Sequence, residues 1–381
     1  MSILYNKFAK LFNRKRELQI NQQLKNTESD TVFKELVKRL LRWNKTDNKR
    51  QMPWKGEKNP YRIWLSEIIL QQTRVDQGLK YYERFIKAYP SVTDLSQAPE
   101  KEVYKLWEGL GYYSRCKNVI ATANYISKEL DGVFPKSYEE ILSLKGVGAY
   151  TAAAISSFAY NHPHAVLDGN VFRVLSRIFD IEIPIDSTKG KVFFSSLAQT
   201  LLPNKTAGEY NQAIMDFGAT ICKPLPECSI CFFKTHCLAF SQNKQQLLPV
   251  KFKQISIKVR WFNYLILRHK SKIAIRQRIT NDIWQNLFEF FLIESSKKTA
   301  LKKQPLLFKK AYGLKEVKCN MDEDAIHFKQ RLSHQIIHFQ IIQCEVSERT
   351  PLPEDFIWVE IAELKKYPFP RTLQQYIQGQ I

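Results

Sequence analysis

The sequence predicts two domains of different class, a helical part up to about residue 240 and an α+β part beyond about residue 254. Three observations carry this. The chain has 381 residues, more than one hydrophobic core usually serves. Apolar residues up to about residue 240 recur at helical spacing, whereas from Ile255 onward they fall in short alternating runs. Four of the seven cysteines, Cys222, Cys228, Cys231 and Cys237, crowd together where the pattern changes.

The first 29 residues read as a basic N-terminal extension, with six Lys or Arg against one Glu in residues 1–25. The helical core should run from 30 to 240. Val32, Phe33, Leu36, Val37, Leu40 and Leu41 mark its first helix. Pro60 suits the first turn of a second helix, on which Ile63, Glu67 and Leu70 share one face. Ser137 and Glu140 have the spacing of a capping box. Asp168 sits where an N-cap belongs, ahead of Val171, Val174, Leu175 and Ile178. The polar stretch 241–253 reads as an interdomain linker. In the second domain, 254–381, strands are expected over 261–267, 272–276, 287–293 and 335–346, and the Lys-rich stretch 297–310 as a loop.

Charge bounds the partners. Lys plus Arg outnumber Asp plus Glu by 58 to 37, a net charge of +21. The excess is shared, +11 up to Leu248 and +10 beyond it, so a basic tail does not explain it. A polyanion, nucleic acid before membrane, is the expected partner. The longest uncharged run, 146–167, is interrupted by glycines, Asn161, Pro163 and histidines, so no span is expected. The N-terminus lacks an apolar signal core, and an odd cysteine count argues against a disulfide framework.

Four features carry chemistry. The spacing C-x5-C-x2-C-x5-C suits four thiolates on either a cubane 4Fe–4S cluster or a tetrahedral zinc. Gly146-Val147-Gly148 permits a tight hairpin between two helices, whose open amides suit a DNA phosphate. Glu67, flanked by apolar side chains, should have its pKa raised and act as an acid near neutrality. Asp168 as a helix cap should be stabilised as an anion and have its pKa lowered. One carboxyl pushed up and one pushed down is a pattern of glycosidic bond cleavage, although 101 residues separate the two.

These residues resemble those of the adenine DNA glycosylases, MutY type, within the helix–hairpin–helix glycosylase superfamily. The matching stretches run in family order over about residues 31–240: Met52-Pro53-Trp54, 64–75 (WLSEIILQQTRV), 106–115 (LWEGLGYYSR), 146–152 (GVGAYTA), 166–171 (VLDGNV) and 211–219 (NQAIMDFGA). Residues 282–290 (DIWQNLFEF) and Leu332-Ser333-His334 more weakly resemble the family's Nudix-like domain. The resemblance implies an all-α helix–hairpin–helix glycosylase core with an iron–sulfur cluster loop, followed by an α+β Nudix-like domain. It implies that Glu67 protonates N7 of a flipped-out adenine, and that Asp168 stabilises the oxocarbenium ion. Tyr150 and Asn170 would bracket that site. Gln72 and Tyr112 would enter the DNA stack, Gly146, Val147 and Gly148 would hold the backbone, and Ser333 and His334 would contact 8-oxoguanine. The four cysteines would ligate a 4Fe–4S cluster.

The chain departs from the family in three places. The first cysteine gap is five residues rather than six, Lys55 follows Trp54 where Arg is usual, and Arg331-Leu332 precedes Ser333 where an aromatic is common. No Glu-rich Nudix box occurs beyond residue 250, so nucleotide hydrolysis is not expected. The expected function is monofunctional removal of adenine opposite 8-oxoguanine or guanine in double-stranded DNA, by a monomer without membrane association. In a bacterium that places it in the cytoplasm with the nucleoid. A glycosylase–lyase like endonuclease III and a non-catalytic iron–sulfur DNA-binding protein are the alternatives. A lyase needs a Lys amine just after the hairpin, where this chain has Tyr150.

Overall fold

The computed structural model describes residues 27–252, 256–300, 303–314, 318–319, 326–346 and 351–380. Most of the basic extension lies outside the described residues. The helices before the cysteine loop are α1 (Thr27–Thr46), α2 (Pro60–Leu70), α3 (Val75–Ala88), α4 (Val92–Gln97), α5 (Glu100–Trp107), α6 (Tyr113–Glu129), α7 (Tyr138–Ser143), α8 (Ala149–Tyr160), α9 (Gly169–Ile178), α10 (Thr188–Leu201) and α11 (Ala207–Thr220). After the loop comes α12 (Leu238–Ser241), then β1 (Lys258–His269), β2 (Lys272–Gln277), β3 (Phe288–Glu289) and β4 (Phe291–Ser295). The chain continues through α13 (Gln304–Tyr312), β5 (Lys318–Cys319), β6 (Ile326–Arg331), β7 (Gln335–Glu345), β8 (Phe356–Glu360) and α14 (Arg371–Gln380).

Contacts divide the chain into two compact units, one of residues 1–72 and 129–253, the other of 73–128 and 254–381. The stretch read from sequence as one helical core, 30–240, is thereby shared between both. In the first unit, the caps form as the sequence expects. Asn59 accepts from the amides of Tyr61 and Arg62, with Pro60 in the first turn of α2. Ser137 and Glu140 close a capping box on α7. Leu36 and Leu40 of α1 are fully buried, against a core that includes Val174, Phe194 and Phe217. The α2 helix is buried almost all round: Tyr61 and every residue from Ile63 to Ile69 are buried. Leu248 is 3% exposed, and the Val250 carbonyl accepts from the Ile185 amide.

The second unit is built on an eight-stranded mixed sheet of order β3-β2-β1-β7-β5, with β4 paired to β1, β6 to β7 and β8 to β2. Strands β1 and β7 run parallel over eleven residue pairs, from Lys258↔Gln335 to Arg268↔Glu345. Phe262 to Leu267 are buried without a break, as a central strand covered on both faces requires. Half of the expected loop 297–310 is instead helical. Pro305 sits in the first turn of α13, and Phe308 is buried against Leu265 and Phe291. Helices α3 to α6 join this unit through long-range bonds. Tyr104 Oη accepts from Asn286 at 2.7 Å, and Lys117 Nζ donates to Gln285 at 3.0 Å.

Candidate active site

The hairpin positions the first half of the site. Gly146 takes φ +80°, a left-handed conformation that glycine adopts without strain. The Val147 amide then donates to the Leu144 carbonyl at 3.0 Å, and Gly148 caps α8. This leaves Tyr150 in the first turn of α8, beside buried α2. Tyr150 hydrogen-bonds to the Glu67 carboxyl, and Asp168 stands near enough to act electrostatically on both. Glu67 is 7% exposed. Burial, opposed by the Tyr150 bond and reinforced by the Asp168 charge, pushes its carboxyl up to about 7.

Asp168 caps α9 as expected, one carboxylate oxygen accepting from the Val171 amide at 2.8 Å and the other from Asn170 Nδ2 at 2.7 Å. The expected lowering of its pKa is corrected by the structure. Burial raises it, and the Val171 and Asn170 hydrogen bonds and the Arg173 charge offset this only in part. The segment leading to Asp168 is held by Asn211, which is 1% exposed. Its side chain accepts from the Val166 amide and donates to the His164 carbonyl and Ser157 Oγ.

A chain of bonds leads on from Asn170. Arg173 donates to Asn170 Oδ1 at 2.7 Å, to the Gly218 carbonyl at 2.7 Å and to the Cys222 carbonyl at 2.8 Å. Gly218 permits this approach, since a Cβ there would lie 2.8 Å from the Asn170 Cβ. One turn on, Arg177 is buried at 2% exposure and donates to the carbonyls of Cys222, Lys223, Pro224 and Leu248. These bonds hold the shortened first cysteine gap, which a Lys223–Glu227 ion pair also closes.

All four clustered cysteines line one cavity, with Arg177 and Phe217 in its wall. Among the described residues no three His, Cys, Asp or Glu side chains stand together as ligands of a single ion. Four thiol donors around one cavity are the donor set of either a cubane 4Fe–4S cluster or a tetrahedral zinc. Burial pushes the Cys222, Cys231 and Cys237 thiols up, with Arg177 opposing it at Cys222.

Gln72 and Tyr112 are both exposed and both left-handed, with φ of 55° and 50°. Such backbone is uncommon for side chains of this size and clusters at functional positions. In the second unit, Ser333 and His334 form an exposed turn between β6 and β7. The Ser333 hydroxyl is hydrogen-bonded to that of Tyr112.

Comparison with known proteins adds the family. Residues 65–192 match the HhH-GPD superfamily base excision DNA repair protein model, and residues 263–379 match a NUDIX domain. An adenine DNA glycosylase of Buchnera aphidicola subsp. Acyrthosiphon pisum is 32% identical, over 91% of this chain and 97% of its own. The chain belongs to the adenine DNA glycosylase family. A second member of the family, from Buchnera aphidicola subsp. Baizongia pistaciae, is 36% identical over 80% of this chain and 84% of its own. The human member is 38% identical over 55% of this chain and 40% of its own. A solved structure titled as a thermostable thymine-DNA glycosylase superposes with a TM-score of 0.52 at 28% identity, covering 56% of this chain and 99% of that one. This chain is therefore a base-excision repair DNA glycosylase, a hydrolase with a helix–hairpin–helix core and a Nudix-like domain.

Within this adenine DNA glycosylase family frame, sequence reasoning passed over three charged residues. Asp216 is fully buried, yet it pairs with Arg50 at 2.7 Å and Lys55 at 3.1 Å and accepts from Asn48 and Gln212. Lys55, where the family usually has Arg, thus keeps a cation on this carboxylate. The others are Arg173 and Arg177. A carboxylate beside Ala213, Ile214 and Phe217 was the available signal for Asp216, whereas Arg173 and Arg177 lie opposite the stripe of Val171, Val174, Leu175 and Ile178 and carried none. Among the described residues, no helix is long and apolar enough to cross a membrane.

Proposed function

We propose that this enzyme excises adenine paired with 8-oxoguanine or guanine in duplex DNA, by hydrolysis and without cutting the strand. The observation that carries the reading is the buried Glu67 carboxyl, hydrogen-bonded to Tyr150 and beside Asp168. A carboxyl held up to about 7 keeps a proton to give at neutral pH. Glu67 donates that proton to N7 of the extruded adenine, and the glycosidic electron pair leaves with the base. Asp168, fixed by Val171 and Asn170, faces the sugar cation that remains. Glu67, now a carboxylate, draws the proton from the attacking water. Tyr150 stands where a lyase needs an amine, which favours the monofunctional reading over the endonuclease III-like one.

The hairpin at 146–148 meets DNA phosphate with amides other than that of Val147, which the Leu144 carbonyl engages, and Gln72 and Tyr112 enter the stack. The turn at Ser333 and His334 reads the base opposite, since phosphate contacts carry no base information. Single-turnover incubation with an adenine–8-oxoguanine duplex tests the whole reading: strand breaks appear only after alkali. Changing both Ser333 and His334 to Ala should slow that reaction roughly tenfold, the worth of base-edge hydrogen bonds. The adenine–guanine reaction should change little. Equal losses on both duplexes would assign the turn to folding or general affinity.

Cys222, Cys228, Cys231 and Cys237 hold a 4Fe–4S cluster in this reading. Such a cluster would clamp the loop whose Cys222 carbonyl meets Arg173 and Arg177. The protein purified without oxygen should be brown and carry about four iron and four sulfide per chain. Stoichiometric zinc without visible absorbance would overturn this.

A further inference from the structure

Glu108 lies outside every role assigned so far. Its side chain is 6% exposed, and both carboxylate oxygens are engaged. One accepts from the Phe369 amide at 2.9 Å, the other from Lys105 Nζ at 2.7 Å and Gln374 Nε2 at 2.8 Å. The Glu108 carbonyl accepts from Tyr81 Oη at 2.7 Å. The residues that follow rise through left-handed backbone at Gly109, Gly111 and Tyr112.

Those contacts close a ring within the second unit. From Glu108 the chain runs four residues to Tyr112, whose hydroxyl meets that of Ser333. Three residues before Ser333, Gln330 Oε1 accepts from Thr372 Oγ1 at 2.7 Å. Thr372 and Gln374 share α14, and Gln374 returns to Glu108. Backbone bonds hold the two segments, Leu332 N–H to the Gln335 carbonyl at 2.8 Å, Lys258 N–H to the His334 carbonyl at 2.9 Å and Arg115 N–H to the Tyr112 carbonyl at 2.8 Å, and the ring of side-chain bonds adds the link that sets one segment against the other.

We infer that Glu108 is a positioning residue for discrimination of the opposite base: its carboxylate anchors the ring that sets Tyr112 against the Ser333 turn. The discrimination part rests on the function proposed above, whereas the ring stands on geometry alone. A glutamine at 108 would keep the shape but turn an NH2 toward donors, leaving one side of the carboxylate's bonding unmade. Thr372→Val removes the ring's other link with almost no change of volume.

The test uses the full-length protein with two readouts. In hydrogen–deuterium exchange without DNA, Glu108→Gln should speed exchange at least about threefold across 331–335, and Thr372→Val should do so across 109–113. Each change then registers on the far side of the ring. Loosening confined to each residue's own neighbours overturns the ring. In single-turnover assays, both variants should lower the ratio of adenine–8-oxoguanine to adenine–guanine cleavage roughly fivefold, about the net worth of one hydrogen bond. The adenine–guanine rate should stay as in wild type. Faster exchange with an unchanged ratio overturns the positioning role. A wild-type enzyme with no preference between the duplexes counts against the proposed function, and the exchange result then decides the ring.

Discussion

Glu67→Gln leaves binding to the mispair largely intact and removes adenine release, with a loss of about 10²–10⁴-fold or more, the usual worth of general acid catalysis. The amide keeps the volume and can still accept from Tyr150, but it has no proton to give. Wild-type activity should also fall as pH rises through about 7, where Glu67 loses its proton. Stability gives an independent check. The folded carboxyl titrates near 7 and the unfolded one near 4.5, so between these values the folded state binds more protons. Rising pH therefore costs the wild type stability in that window, on the order of 3 kcal/mol. Glu67→Gln lacks this dependence, so its melting temperature should exceed that of wild type at pH 8. The gap should shrink as pH falls toward 4.5. A variant that cleaves within a few-fold of wild type would remove Glu67 from the acid role.

Asp168→Asn separates capping from catalysis. Asparagine caps helices about as well as aspartate, and its Oδ1 can still accept from the Val171 amide. The fold should persist, with the melting temperature within a few degrees of wild type. In the proposed mechanism the negative charge toward the sugar cation is then gone, and lost transition-state electrostatics of this kind cost about 10²–10³-fold. Single-turnover rates and a thermal melt on the same sample decide it. Retained activity would mean that Asp168 serves the helix alone.

Much of the site was legible in the residues themselves. Capping is local chemistry, so Ser137 with Glu140 and Asp168 with Val171 could be read directly. The cysteine spacing likewise showed which thiols gather. The direction of the Asp168 pKa could not be read, because it depends on how deeply the fold buries the carboxyl, and burial outweighed the local amides. Asp216 escaped for the same reason: its cations come from Arg50 and Lys55, about 160 residues away along the chain.

By itself, the sequence determined the two fold classes, the basic charge, the gathering of the four cysteines and the helix caps, because periodicity, composition and short-range spacing are properties of neighbouring residues. Tertiary structure alone decided the rest. Helix α14 carries few apolar residues beyond Leu373 and Tyr376, and it is their burial, at 0% and 1% exposure, that ties it to the sheet. Helices α3 to α6 carry helical signals like those around them, yet they group with the sheet. Bonds such as Glu108 to Gln374 and Tyr104 to Asn286 hold them there, across separations of 266 and 182 residues. No local pattern encodes such pairings, since each donor or acceptor looks like any other polar surface residue until the fold brings its partner to it.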